Sequence, residues 1–292
     1  MRDHPGKKES VVWVKIVVII LIMNRLMACF AFTAFADSFL QLNGSGWLSL
    51  IVSLPAGILV GTLINYFADV LPATRRLTWP ACPECDQAYA LKDYLLPRHC
   101  AQCGARRSAR WAIVLAGSVI ACVLLVFFPL SGLGFWASLP LLAFLGVITL
   151  IDIEHRLVLV ETFLFGVVLC FIYGVVLHGW VTTLSGGLGG LLIMLTLFFM
   201  GIIFSKIVGS LRGRKIGKVA FGFGDVFAGT FLGLLMGWPL IAGAVVIGML
   251  VFAVYSLVYI AVLLVTKRYS AFATALPLAP FLILGAVVVL FL

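Results

Sequence analysis

Uncharged apolar runs of about twenty residues recur along this chain, and they constrain it more than any other feature. Trp111–Phe128, Gly134–Ile151, Thr183–Ser205 and Pro239–Val265 contain no Asp, Glu, Lys or Arg. A run of that length matches the hydrocarbon thickness of a bilayer when helical, and a helix satisfies its own backbone hydrogen bonds there. With 63% hydrophobic and 11% charged residues over 292 positions, no soluble core could hide the apolar surface. The expected fold is all-α: a polytopic membrane protein of about 8–9 transmembrane helices. The remaining spans are read at Trp47–Val70, Val158–Leu177, Asp225–Trp238 and Thr274–Leu292.

The N-terminus allows two readings. Residues 11–35 are mostly apolar, and Ala34-Phe35-Ala36 resembles a signal-peptidase site. Arg25 follows the apolar core too closely for a signal peptide, so a retained helix is favoured. The domain reading is 1–46 as an extra helix or signal-like segment, 47–70 as the first core span, 71–110 as a polar loop, and 111–292 as the main membrane domain.

Charge then orients the spans. The net charge of +9 sits in loops beside spans, which is a topology signal and not a nucleic-acid footprint. Arg75, Arg76, Lys92, Arg98, Arg106, Arg107 and Arg110 put the 71–110 loop in the cytoplasm. The same count puts Asp152–Arg156, Lys206–Lys218 and Lys267-Arg268 on that side, with the nearly uncharged turns near 130 and 180 opposite.

The 71–110 loop carries Cys82-x2-Cys85 and Cys100-x2-Cys103, fourteen residues apart. Each knuckle can offer two thiolates to a tetrahedral ion, and four sulfurs leave no open position, so a structural Zn²⁺ is expected. A cytoplasmic loop of some forty residues has neither disulfides nor much core to fold it, and the metal would supply that energy. His99 is a neighbouring competitor ligand. Cys29, Cys122 and Cys170 lie within apolar runs and read as small buried hydrophobes.

Two carboxylates stand at the same depth on different spans. Asp225 follows Phe221-Gly222-Phe223-Gly224 at the mouth of an apolar run, and Asp152 ends another. Charges in such places are costly and usually functional. If the two face each other they can share a proton, one activating water and the other protonating a carbonyl, as aspartic proteases do. Gly222 and Gly224 would let the backbone bend and a chain approach. Asn65 and Asp69 share one helix face and read equally as an interfacial cap or as functional groups.

Taken in order, these motifs resemble the bacterial prepilin peptidases, or type IV leader peptidases. The helix end Gly61–Pro72, the four-cysteine loop, Leu150-Ile151-Asp152, Gly222–Asp225 and, more weakly, Pro277–Leu282 carry the likeness, over residues 47 to 292. The resemblance implies an inner-membrane aspartic endopeptidase that removes the leader from prepilins or pseudopilins of type IV pili or type II secretion. It implies Asp152 and Asp225 as the catalytic pair and Gly222 and Gly224 as residues shaping the site. Many members also methylate the new N-terminus with S-adenosylmethionine. Departures are Val70 before Leu71-Pro72, Val158-Leu159-Val160 where the family has a proline-containing segment, and Ala279 in place of glycine. The competing reading is a non-catalytic transporter or assembly factor using a zinc docking loop, its carboxylates lining an ion path.

Overall fold

The computed structural model describes residues 46–75, 77–82, 84–85, 87–89, 94, 100, 102–104, 109–130, 133–156, 158–211, 222–266 and 276–291. The expected segment 11–35, Cys29, His99, Phe221 and the basic residues 212–218 and 267–268 lie outside these. Eight helices are present among the described residues: α1 (Gly46–Thr74), α2 (Ala109–Phe127), α3 (Gly134–His155), α4 (Val160–His178), α5 (Trp180–Leu211), α6 (Phe223–Met236), α7 (Leu240–Val265) and α8 (Ala279–Phe291). There is no strand among them beyond one isolated bridge, Ala81 to Ala88, in the cysteine loop. The all-helical expectation therefore holds.

Six helices are long and apolar enough to cross a membrane; α6 and α8 are shorter, at 14 and 13 residues. Punctuation residues set these limits. Gly179 and Gly237 terminate α4 and α6 at φ 80° and 71°, a region costly for any side chain. Pro277 and Pro280 hold the start of α8 to Ala279, five residues later than the expected Thr274. At the other extreme, α5 runs to Leu211, beyond the expected Ser205, with no proline in that stretch and with Lys206 and Gly209 taken into the helix.

Association of these helices cannot draw on a hydrophobic force, because lipid is as apolar as leucine. Close backbone approach replaces it. On α5, Gly186 and Gly190 meet Gly233 and Gly229 of α6. A Cβ on Gly190 would fall 2.1 Å from the Gly229 carbonyl oxygen, and one on Gly233 would fall 2.3 Å from that of Gly186. Gly57 and Gly61 bring α1 onto α2, and Gly248 and Gly285 bring α7 onto α8. Helix α6 packs against α4, α5, α7 and α8 and is buried along its length, with Phe231, Leu235 and Met236 wholly enclosed. Its Phe231 ring meets Phe144 of α3, centroids 5.4 Å apart. By contrast α7 turns Leu250, Val254, Leu257 and Val258 outward, as a lipid-facing side requires.

The antiparallel course puts the C-terminal ends of α1 and α3 and the N-terminal ends of α2, α4, α6 and α8 at one end of the bundle, beside the cysteine loop. At that end Asn65 is fully buried, not an interfacial cap. Its amide donates to the carbonyls of Gly61 (3.0 Å) and Trp111 (3.4 Å), stitching α1 to α2.

The glycine contacts can be tested by stability. Gly233→Val should lower stability by at least about 1–3 kcal/mol, the usual cost of overpacking, read as a lower thermal midpoint in detergent. Gly243→Ala on α7, where an added Cβ meets nothing within 4 Å, should leave the midpoint unchanged or slightly raised.

Candidate active site

Asp152 lies one turn from the end of α3 and is buried, at 6% exposure, in an apolar neighbourhood that includes Ile148 and Ile151. Its carboxylate takes a hydrogen bond from the backbone N–H of Ala279, the first residue of α8. Its Oδ2 is buried with no protein partner. Beyond it the chain leaves the helix through Arg156, at φ 54°, whose N–H closes on the Asp152 carbonyl at 2.9 Å.

Asp225 occupies the third position of α6. There its Oδ2 accepts the Gly222 N–H at 3.0 Å while its own N–H donates to the Gly222 carbonyl at 3.1 Å. An acidic side chain here satisfies a backbone donor that the helix start leaves unpaired. The two carboxylates come near enough for the charge of Asp152 to act on Asp225. Thus α3, α6 and α8 bring together two acids, each held by a backbone amide at a helix N-terminus.

The glycines flanking Asp225 differ. Gly222 has φ −83°, open to any residue, and a Cβ there would meet nothing closer than 3.8 Å. Gly224 is tight: its Cβ would stand 3.0 Å from Val158 Cγ2, so the Val158-Leu159 segment before α4 packs directly on it. Sequence reading missed the aromatic group beside the acid. Phe163 of α4 stacks on Phe227 at 4.1 Å, and Phe223 bridges Phe227 (5.1 Å) and Phe198 of α5 (5.7 Å). Phe223 remains half exposed. The spacing of Phe223 and Phe227, one turn apart on either side of Asp225, is the signal that marks this face.

In the loop, the four sulfurs of Cys82, Cys85, Cys100 and Cys103 all lie within 4.8 Å of one another. The cross-knuckle pairs Cys82–Cys103 and Cys85–Cys100 are 3.7 and 3.6 Å apart. Those are the edges of a tetrahedron around an ion with metal–sulfur bonds of about 2.3 Å, whose edge is about 3.8 Å. The backbone N–H of Glu84, the Tyr89 hydroxyl and the backbone N–H of Cys85 lower the Cys82 thiol to about 6. The N–H groups of Cys103 and Gln102 lower Cys100 likewise. Each knuckle therefore directs amides at its first sulfur and favours the thiolate that a metal needs. The donor set fits a metal ion.

Residues 139–257, which hold both aspartates, match the model of the type IV leader peptidase family. A prepilin leader peptidase/N-methyltransferase of Pectobacterium carotovorum subsp. carotovorum is 28% identical over 240 residues, covering 74% of this chain and 76% of that protein. Both matches support a divergent member of the type IV leader peptidase family. No solved structure matches it.

Two further family-like motifs now have positions. Pro277–Leu282 places the Ala279 amide on Asp152. The helix end Gly61–Pro72 holds Asp69, which pairs with Arg110 of α2, and Arg110 also pairs with Glu154 of α3 at 2.7 Å. Glu154 is therefore engaged by a guanidinium instead of standing free beside the acids. Cys122 and Cys170 are buried in apolar surroundings, as their place in the sequence implies.

Cys82→Ser and Cys100→Ser should each weaken metal retention at least about tenfold against a chelator, read by elemental analysis of the purified protein. All four thiols must lose their protons to hold the ion, and Cys85 is raised where Cys82 and Cys100 are lowered, so metal retention should weaken progressively as the pH falls.

Proposed function

We propose that this protein is a membrane-embedded aspartic endopeptidase that removes the leader of prepilins or pseudopilins, with Asp152 and Asp225 as its catalytic pair. The observation that carries this reading is the nearness of two carboxylates from α3 and α6 at one end of an apolar bundle. Two acids that feel each other's charge favour a state with one ionised and one protonated. The ionised carboxylate takes a proton from water as the water oxygen attacks the scissile carbonyl carbon. The protonated one gives its proton to the carbonyl oxygen. Collapse of the resulting diol breaks the C–N bond as the proton held by the first carboxylate passes to the leaving amine and a diol hydroxyl returns a proton to the second carboxylate. The amides of Ala279 and Gly222 hold the two carboxylates in place through these transfers.

Depth agrees with such a substrate. Helix α6 has 14 residues, about 21 Å, against a hydrocarbon thickness of about 30 Å. A helix this short leaves room for Asp225 and the half-exposed Phe223 to stand recessed, where a peptide bond next to a hydrophobic helix would lie. The positive-inside distribution supports a cytoplasmic face in the inner membrane for the site and the cysteine loop. The sulfur geometry supports zinc as the metal, in a structural role. The double name of the Pectobacterium protein also includes N-methyl transfer. The peptidase activity alone is extended to this chain, because no group of residues here has been assigned to S-adenosylmethionine.

The test is cleavage of a pilin-like precursor by the purified protein in lipid. Asp152→Asn and Asp225→Asn should each lower the rate by about 10³-fold or more, within the range general acid–base catalysis supplies, with insertion and abundance unchanged. Equal cleavage by wild type and both variants would remove the paired-acid mechanism, and no cleavage by any of the three would favour the transporter reading.

A further inference from the structure

We propose that Arg110 is a positioning residue for Asp152, and that through it the metal loop helps set the geometry of the carboxylate pair. The chain of contacts begins at a metal ligand. The Tyr89 hydroxyl hydrogen-bonds the Cys82 sulfur. The Tyr89 ring lies 6.3 Å from that of Tyr94, which is buried and also meets Tyr66 of α1 edge-on. The Tyr94 hydroxyl donates to Asp69 Oδ2 at 3.0 Å. Asp69 Oδ1 pairs with Arg110 Nη2, and Arg110 Nη1 donates to Glu154 Oε2 at 2.7 Å. Glu154 stands two residues past Asp152 in the last turn of α3.

An ordinary surface pair joins two side chains and fixes little. This one differs in connectivity. The two terminal nitrogens of one guanidinium reach carboxylates on two helices other than its own, so the ends of α1, α2 and α3 meet at one rigid planar group. Asp152 rides on the end that is pinned. Its carboxylate must also stay in register with the Ala279 amide on α8 and with Asp225 on α6. The loop enters through Tyr94, and a bound metal would fix the cysteine knuckle that Tyr89 contacts. A misplacement of about 1 Å at a reacting group can cost about 10²-fold in rate, so a modest shift of the α3 end is enough to matter.

Two readouts test this, and only the first rests on the peptidase reading. In precursor cleavage, Arg110→Lys and Glu154→Gln should each lower kcat about 10- to 100-fold with KM within about twofold. The pair of substitutions together should cost no more than the worse single one, because both break one linkage. Losses that multiply, or that fall in KM alone, would overturn the positioning role. The second readout is chelator competition for zinc bound to the full-length protein, which needs no turnover. Linkage is reciprocal, so Arg110→Met should weaken metal binding about fivefold or more although Arg110 is not one of the four ligand residues. Tyr94→Phe, which removes a single hydroxyl and should fold if Arg110→Met does not, should do the same. Wild-type metal affinity in both would overturn the coupling. No turnover by wild type, with the metal affinity still shifted, would count against the peptidase reading and in favour of the coupling.

Discussion

Backbone contact between α5 and α6 is the constraint on which the rest of the site depends. Helix α6 is short, carries the second acid at its N-terminus, and is enclosed by α4, α5, α7 and α8. A helix surrounded on all sides in a membrane gains nothing from leaving lipid, so dispersion at close range must hold it. The glycines at 186, 190, 229 and 233 permit that range because no Cβ intervenes. Met194 closes the stack over Gly229, and Leu234 fills the space beside Gly187. Any larger residue along this seam would tilt α6, and the tilt would be felt at Asp225.

Given that scaffold, the two acids are held by the same device. Each carboxylate meets a backbone N–H at the start of a helix, where donors are otherwise unpaired and the dipole favours negative charge. For Asp225 the helix is its own, since Gly222 is its cap. For Asp152 the helix is α8, distant in sequence and beginning where Pro277 and Pro280 dictate. The difference explains why one acid is partly exposed and the other buried: Asp152 sits between two helices, whereas Asp225 sits at an open mouth beside Phe223.

Much of this was legible in the sequence. Apolar length alone marked the six long helices, because lipid leaves the chain no other option, and the four cysteines announced their cluster by spacing. The two acids stood out because charge beside apolar runs is rare. Contacts between helices were not legible. Nothing in the composition of Ala279 or Arg110 says that one will reach Asp152 and the other will tie Glu154 to Asp69. Those depend on which faces of three helices meet, and periodicity is blind to that when helices are apolar all round. The glycine seam was present as Gly186, Gly190, Gly229 and Gly233, four residues apart within each helix, but its partner helix could be found only in three dimensions.

Magnitudes indicate what the Arg110 cluster is for. Its side chains are about a quarter to a third exposed, and ion pairs of that exposure contribute roughly 0–1 kcal/mol each. One overpacked glycine in the α5–α6 seam costs more than that. As a source of stability the cluster is replaceable, and apolar residues of similar volume would serve as well. What apolar residues cannot supply is direction: a planar cation fixes the two carboxylates it binds in distance and angle, whereas a methyl group fixes only a separation. On the proposed mechanism a helix end bearing a buried acid needs direction, because proton transfer to water and to a carbonyl depends on both. The position of Arg110, facing the last turn of the helix that carries Asp152, is where such a constraint has most effect on chemistry and least on the fold.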